Sequence, residues 1–282
     1  QELNVDGGAA LTGSFDSYGW NDRRPYHSVN YVTVHDGMTM YDLFSYDEKQ
    51  NGCGLLYPIC CDDPLSVWCD PNEGEDHNRS RNQNDEALKR QSMRNLFVAL
   101  LVSHGTPMIY GGDEWLRTQF GNNNAWSSAA DNEWNWFRWG EWQSTYAQFR
   151  YRMHDFVREM IQLRKAHAYA LAPSDYGNHM PLAWKNANNE DMTNDDWGGR
   201  HVAMHYYNND DLAAQPELLI LINGEGQDID FSLPGGREWA RIVDTQSYFD
   251  TPENKDDDGG FFEDQPDADP YVSANISLDA PE

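Results

Sequence analysis

The sequence predicts an α/β unit followed by an all-β unit, and three observations support this prediction. Residues 29–167 alternate between short apolar segments and longer segments with helical periodicity. After about residue 170, short strand-like segments follow one another, separated by Asn, Gly, Pro and Asp. The chain has 282 residues, which is enough for two domains of ordinary size. We therefore expect one domain at 1–168 and a second at 169–282.

The predicted α/β unit contains two strands and two helices in alternation. Residues 29–34 are β-branched and aromatic with few polar interruptions, as in a strand covered on both faces. The clearest helix follows, with Asn84 or Asp85 as its N-cap and an apolar face at helical spacing. Residues 106–110 form a second short apolar strand, and helical spacing resumes at 147–166.

The predicted all-β unit contains four short apolar segments between turn residues. Their sequences are HVAMHYYN, ELLILING, IDFSLP and WARIVDT. Short strands at this spacing predict an antiparallel β-sandwich, which we expect to be incomplete at the carboxyl end of the chain.

The charge of the chain excludes several classes of partner. It carries 47 acidic and 20 basic residues, a formal net charge of −27. Such a surface repels nucleic acid and anionic membrane faces. The sequence has no apolar run of the length that a transmembrane helix needs. We therefore predict neither a nucleic-acid partner nor a membrane partner.

The four cysteines all fall within residues 53–69 and lack the paired C-x-x-C spacing of a zinc site. Disulfides across a long loop would indicate a secreted or periplasmic protein, whereas free thiols would suit the cytoplasm. We predict no required cofactor and no metal among the site residues. A structural Ca²⁺ ion stays an open alternative, because residues 253–270 are acidic but lack a contiguous calcium-loop pattern.

Polar and acidic residues follow both predicted strands of the α/β unit. His35 and Asp36 end the first strand, and Asp113 and Glu114 follow the second after two glycines. In parallel α/β barrels the reactive groups lie at the carboxyl ends of the strands. One acidic turn after a strand is common, but two in successive units favour a functional site.

Three long motifs within residues 25–167 resemble a known family. They are VNYVTVHDGMTMYDLFSY, GTPMIYGGDEWLRTQFGNNNAW and DNEWNWFRW. In this order they are similar to the isoamylase-type glycogen and starch debranching enzymes of glycoside hydrolase family 13. The resemblance implies the seventh and eighth strands of a (β/α)8 TIM barrel with their helices, followed by a β-sandwich. The chain would then be the C-terminal portion of a longer protein.

The resemblance also implies roles for individual residues. Asp36 would stabilise the oxocarbenium-like transition state, and His35 would hydrogen-bond the same glucose ring. Asp113 and Glu114, with Arg117, would anchor loops near the site rather than touch sugar.

The loop after the second strand supplies candidate sugar contacts. It contains three consecutive asparagines: Asn122, Asn123 and Asn124. They resemble the polar loop that lines the debranching cleft. Trp136, together with Trp134 and Trp139, is predicted to stack on glucose faces; alternatively, these rings pack the loop onto the barrel.

Two carboxylates required for catalysis are not found. Retaining hydrolysis needs a nucleophile and an acid/base carboxylate about 5–5.5 Å apart. In the family the nucleophile follows a Phe-Arg pair at a strand end, but both Phe-Arg pairs here lie beyond the second strand. We therefore expect a fragment that is inactive alone.

The parent protein would hydrolyse α-1,6 branch linkages of glycogen or amylopectin with retention. The alternatives are an α-1,4-glucan hydrolase or glucanotransferase of the same family, or a non-catalytic glucan-binding protein.

Overall fold

The computed structural model describes most of the chain. The described residues are 5–51, 72–125, 131, 135–139, 147–176, 180–208, 215–245, 271–272 and 275–278. The cysteines, Trp134 and the acidic residues 253–270 lie outside them. The predictions of disulfides, of a compartment and of a calcium ion therefore stay predictions.

Six α-helices occur in the part of the chain that the structure describes. They are α1 (Val5–Leu11), α2 (Phe15–Tyr18), α3 (Met40–Leu43), α4 (Glu86–Val102), α5 (Ala147–Ala166) and α6 (Ala168–Leu171). The two long helices agree with the sequence prediction. Asp85 is the N-cap of α4, since its side chain accepts a hydrogen bond from Leu88 N at 2.9 Å.

Nine strands occur among the described residues. They are β1 (Val29–Asn30), β2 (Thr106–Pro107), β3 (Leu182–Lys185), β4 (His201–Tyr206), β5 (Leu218–Asn223), β6 (Ile229–Ser232), β7 (Glu238–Trp239), β8 (Tyr271–Val272) and β9 (Asn275–Leu278). Strands β1 and β2 pair in parallel, β3–β4–β5 form an antiparallel sheet, and β6–β9 and β7–β8 pair antiparallel.

The β1–β2 ladder is shorter than the two predicted strands. It joins Val29 to Thr106 and Asn30 to Pro107, whereas the apolar pattern predicts strands over 29–34 and 106–110. Beyond Asn30 the segment is held by hydrogen bonds to Asp113 instead, from the Thr33 hydroxyl and from Met40 N. The prediction that both faces of this segment are covered is wrong, because Val29 is 53% and Tyr31 55% exposed.

The described strands from β3 onwards pair antiparallel, as predicted. The segment WARIVDT was predicted as a strand, but only its first residue, Trp239, belongs to one, in β7. The assembly of these strands into a two-sheet sandwich stays a prediction.

One apolar core joins the long helices to the antiparallel sheet. Phe97 of α4, Phe156 of α5 and Met204 of β4 are buried in the same cluster. His104 follows the end of α4, and its Nε2 lies 2.9 Å from the hydroxyl of the buried Tyr206 in β4. The predicted boundary between residues 168 and 169 therefore does not coincide with a gap in the core, and the domain division stays a prediction.

Arg164 closes the carboxyl end of α4. Its Nη1 donates to the carbonyl oxygens of Leu101 and Ser103 at 2.7 Å, and its Nη2 donates to Gly105 O at 2.6 Å. These carbonyls have no partner within the helix, so a buried guanidinium is well suited to them. Arg164 thereby fixes where β2 begins.

No described helix is both long and apolar enough to cross a bilayer. No group of three or more His, Cys, Asp or Glu side chains in the described ranges is arranged to hold a metal ion.

Candidate functional site

His35 and Asp36 lie together on the loop that follows β1. Their side chains are 74% and 77% exposed, and His35 Nε2 is 3.4 Å from Asp36 Oδ2. Because β1 and β2 are parallel, the loops that follow them leave the same edge of the pair. An exposed carboxylate and an imidazole are thus presented at the edge where a site was predicted.

Asp113 ties down both ends of the loop that carries this pair. The Asp113 side chain is only 1% exposed. One oxygen accepts a hydrogen bond from the Thr33 hydroxyl, and the other accepts from Met40 N at 2.8 Å. The short segment between Thr33 and Met40 is therefore fixed at each end by a single carboxyl group.

Burial raises the pKa of Asp113 to about 7, against an ordinary value of 3.8, although both hydrogen bonds oppose this shift. The raised pKa means that the folded state binds a proton more tightly than the unfolded state. Between about pH 4 and pH 7 the free energy of unfolding therefore falls as pH rises.

Asp113→Asn is expected to flatten this decline, because an amide does not ionise. Between pH 4 and pH 7 the free energy of unfolding of the wild-type chain should fall by on the order of 3 kcal/mol more than that of the variant. Urea unfolding at several pH values measures the difference. Equal slopes for the two proteins would contradict the assignment.

Asp42 connects the segment after β1 to the loop after β2 through hydrogen bonds. Its buried carboxylate accepts hydrogen bonds from the Thr118 hydroxyl, from Gln119 N at 2.8 Å and from Gly121 N at 3.2 Å. Burial raises the pKa of Asp42 above its ordinary value against these bonds.

Asp42 was not among the site residues predicted from the sequence. Thr39 caps α3 by accepting from Asp42 N at 3.2 Å. The spacing of Thr39 and Asp42 is that of a capping box, and it was the feature of the sequence that could have drawn attention to Asp42. A capping box, however, predicts the start of a helix and not a connection between two loops.

The three asparagines do not share one environment. Asn122 and Asn123 are buried. Asn123 Nδ2 donates to Asn78 Oδ1 at 2.7 Å, and its Oδ1 accepts from Asn51 Nδ2 at 2.9 Å. Asn122 Oδ1 accepts from Asn124 N at 2.8 Å. These amides hold loops together, so direct sugar contact by Asn122 and Asn123 would require the surrounding loops to move.

Asn124 differs from its neighbours because it is half-buried. Its Nδ2 has no hydrogen-bond partner in the described part of the chain. Because this nitrogen is itself buried, direct sugar contact by Asn124 would also require the loop to move.

Glu114 and Arg117 support the loop after β2. Glu114 Oε2 accepts from Gly112 N at 2.9 Å. Arg117 Nη2 donates to the backbone oxygen of Asn135 at 2.9 Å and to its Oδ1 at 2.7 Å. The Arg117 guanidinium also lies 5.3 Å from the centre of the Tyr110 ring. Arg117 thereby connects β2 to the aromatic segment 135–139.

The aromatic segment presents two indole rings to solvent. Trp136 is 55% and Trp139 72% exposed. Trp136 Nε1 donates to Asp131 Oδ1 at 2.6 Å, and the ring centres of Phe137 and Trp139 are 4.4 Å apart. A cavity of about 420 Å³ adjoins Trp139 and is also lined by Glu114. Exposed rings are compatible with stacking on sugar, and both this prediction and the alternative of packing onto the barrel stay predictions.

Comparison with solved structures identifies the fold. The pullulanase from Bacillus acidopullulyticus aligns with 98% of the chain at a TM-score of 0.61 and 19% identity, and 25% of that protein is covered. A type I pullulanase from Bacillus subtilis aligns with 99% of the chain at a TM-score of 0.60 and 17% identity, with 30% of it covered. The chain thus has the fold of one part of a pullulanase.

Comparison with curated sequences identifies the relatives. An isoamylase from Flavobacterium sp is 33% identical over 263 residues, which are 86% of this chain and 31% of that protein. A glycogen operon protein GlgX homolog from Mycobacterium bovis is 31% identical over 83% of this chain and 34% of its own length. No family model matches the chain.

The chain is therefore a homologue of proteins named isoamylase and GlgX, as its motifs indicated. It spans about a third of the length of the curated relatives that it matches.

Proposed function

We propose that the chain is the C-terminal portion of an α-glucan debranching hydrolase, and that β1 and β2 correspond to the seventh and eighth strands of its (β/α)8 barrel. The substrate would be glycogen or amylopectin, cleaved at α-1,6 branch linkages with retention. The observation that supports this proposal is the exposed His35–Asp36 pair, held on a loop that Asp113 fixes at both ends.

Asp36 performs the electrostatic part of the reaction in this proposal. Its carboxylate lies next to the sugar ring and stabilises the positive charge that develops at the anomeric carbon. His35 donates a hydrogen bond to a hydroxyl of the same ring. Trp136 contacts a neighbouring glucose unit through its exposed indole face, and Asn124 contacts another after a movement that exposes its buried amide.

The bond-breaking carboxylates come from the rest of the protein. Retaining hydrolysis needs a nucleophile and an acid, and no Phe-Arg strand end in this chain supplies the first. The 282-residue chain alone is therefore expected to bind glucan without cleaving it. Carboxylates and water suffice for this chemistry, so no cofactor is required.

The test compares the 282-residue chain with the longest protein that carries it, using amylopectin and linear amylose as substrates. The longer protein is expected to release reducing ends from amylopectin, with linear chains as products and α-anomers formed first. The short chain is expected to be retained on immobilised amylopectin without releasing reducing ends.

Other outcomes would support the alternatives. Faster cleavage of amylose would indicate an α-1,4 hydrolase, and a change of chain lengths without new reducing ends would indicate a transferase. Retention without hydrolysis by the longer protein would indicate a non-catalytic glucan-binding protein.

A further inference from the structure

We propose a second glucan-binding site in the antiparallel half of the chain, separate from the His35–Asp36 loop. It is a cavity of about 460 Å³ beside the start of β5 and the strand β7, and none of its lining residues belongs to the loops that follow β1 and β2. Ligand pockets span about 300–1,000 Å³, so this volume suits one or two sugar rings. The identity of the sugar as an α-glucan rests on the proposed function.

Part of the cavity is lined by a network of polar side chains around Glu217. The Glu217 side chain is 8% exposed. Its Oε1 accepts from Arg237 Nη2 at 2.7 Å and from Asn208 N at 3.1 Å, and its Oε2 lies 2.8 Å from His205 Nε2. Because Glu217 is held from three directions, the Arg237 guanidinium that donates to it is positioned before any ligand arrives.

Two members of this network have hydrogen-bonding capacity left over. Arg237 has five N–H donors, uses Nη2 for Glu217, and its side chain is 42% exposed. Asn208 Nδ2 donates to Gln215 O at 2.7 Å, but Asn208 Oδ1 is a buried acceptor with no partner among the residues the structure describes. A small shift of the Asn208 amide would bring this acceptor and the guanidinium donors to neighbouring hydroxyls of one sugar, which donate and accept.

Trp239 supplies an apolar wall. Its Nε1 donates to Pro234 O at 3.0 Å, and its ring packs edge-on against His205 with centres 5.7 Å apart. These contacts fix the indole plane, so stacking of a sugar ring on it would cost little side-chain entropy.

The charges of the cavity favour a neutral ligand. Glu217 and Glu238 face a single Arg237 across the lining, and the whole chain carries a net charge of −27. An anion would be repelled by this field, and a cation would compete with Arg237 for Glu217. A neutral polyhydroxylated molecule uses both the donors and the acceptors without changing the charge balance.

Titration calorimetry of the 282-residue chain with maltohexaose tests the proposal. Trp239→Ala is expected to weaken binding about tenfold, and Arg237→Lys, which keeps the charge but removes the planar fork, about fivefold. Trp20→Ala removes an equally large indole that is 79% exposed on a different part of the surface, and should leave the affinity unchanged. Circular dichroism confirms that each variant is folded.

Several results would overturn the second site. They are wild-type affinity in both the Trp239 and Arg237 variants, equally tight binding of the β-linked cellohexaose, and absence of maltohexaose binding to the wild-type chain. Loss of binding on Asp36→Asn would also overturn it, since the sugar would then lie at the first site. Conversely, binding that persists while the longer protein fails to cleave any glucan would refute the proposed function and leave the second site standing.

Discussion

Asp36→Asn is expected to lower kcat on amylopectin by about 10²–10³-fold in the longer protein that carries this chain. The substitution keeps the size of the side chain and removes only its negative charge. A carboxylate that faces developing positive charge contributes more to the transition state than to the bound substrate, so KM should change much less than kcat.

The same variant is expected to leave the free energy of unfolding within about 0.5 kcal/mol of the wild-type value, because the Asp36 side chain is exposed and its recorded contact is His35 at 3.4 Å. Reducing-end release gives the kinetics, and urea unfolding gives the stability. Asp16→Asn is a matched control, since Asp16 is an exposed acid whose contact is the neighbouring Ser17 hydroxyl at 3.3 Å. A kcat within threefold of wild type for Asp36→Asn would remove Asp36 from the mechanism.

Local signals in the sequence were sufficient for the two long helices, α4 and α5, but not for the short helices α1 and α2. The capping residue Asp85 and the apolar spacing of α4 lie within one helix length, so each can be identified without knowing the fold. The His35–Asp36 edge could also be predicted, because parallel strands bring their carboxyl ends together.

Contacts between distant segments could not be predicted in the same way. Asn123 is buried because Asn51 and Asn78 reach it from 72 and 45 residues away, and nothing in the asparagine run indicates those partners. The length of β1 was overestimated for a related reason. After Asn30 the ladder with β2 ends, and the Thr33 hydroxyl instead donates to Asp113, which lies 80 residues later in the sequence.

Asp42→Asn is expected to destabilise the chain by about 2–4 kcal/mol. The buried carboxylate accepts from the Thr118 hydroxyl and from the backbone N–H groups of Gln119 and Gly121. An amide of the same size has one acceptor oxygen, so its NH₂ group would face a donor. If the amide oxygen keeps Gln119 N and Gly121 N, the Thr118 hydroxyl loses its acceptor and the two backbone bonds lose their charge assistance; in the opposite orientation the two N–H groups lose their acceptor.

The comparison with Asp36→Asn makes this prediction specific, because both variants replace an acid by its amide within seven positions of the same segment. The exposed residue should affect activity without affecting stability. The Asp42→Asn variant should have a lower urea midpoint than the wild type. It should also loosen the loop that carries Asn124, so that hydrogen exchange at Gln119 and Gly121 speeds up, relative to the wild type, by more than exchange in α4. Unfolding at the wild-type urea concentration, with unchanged exchange at these two amides, would show that Asp42 does not hold the two loops together.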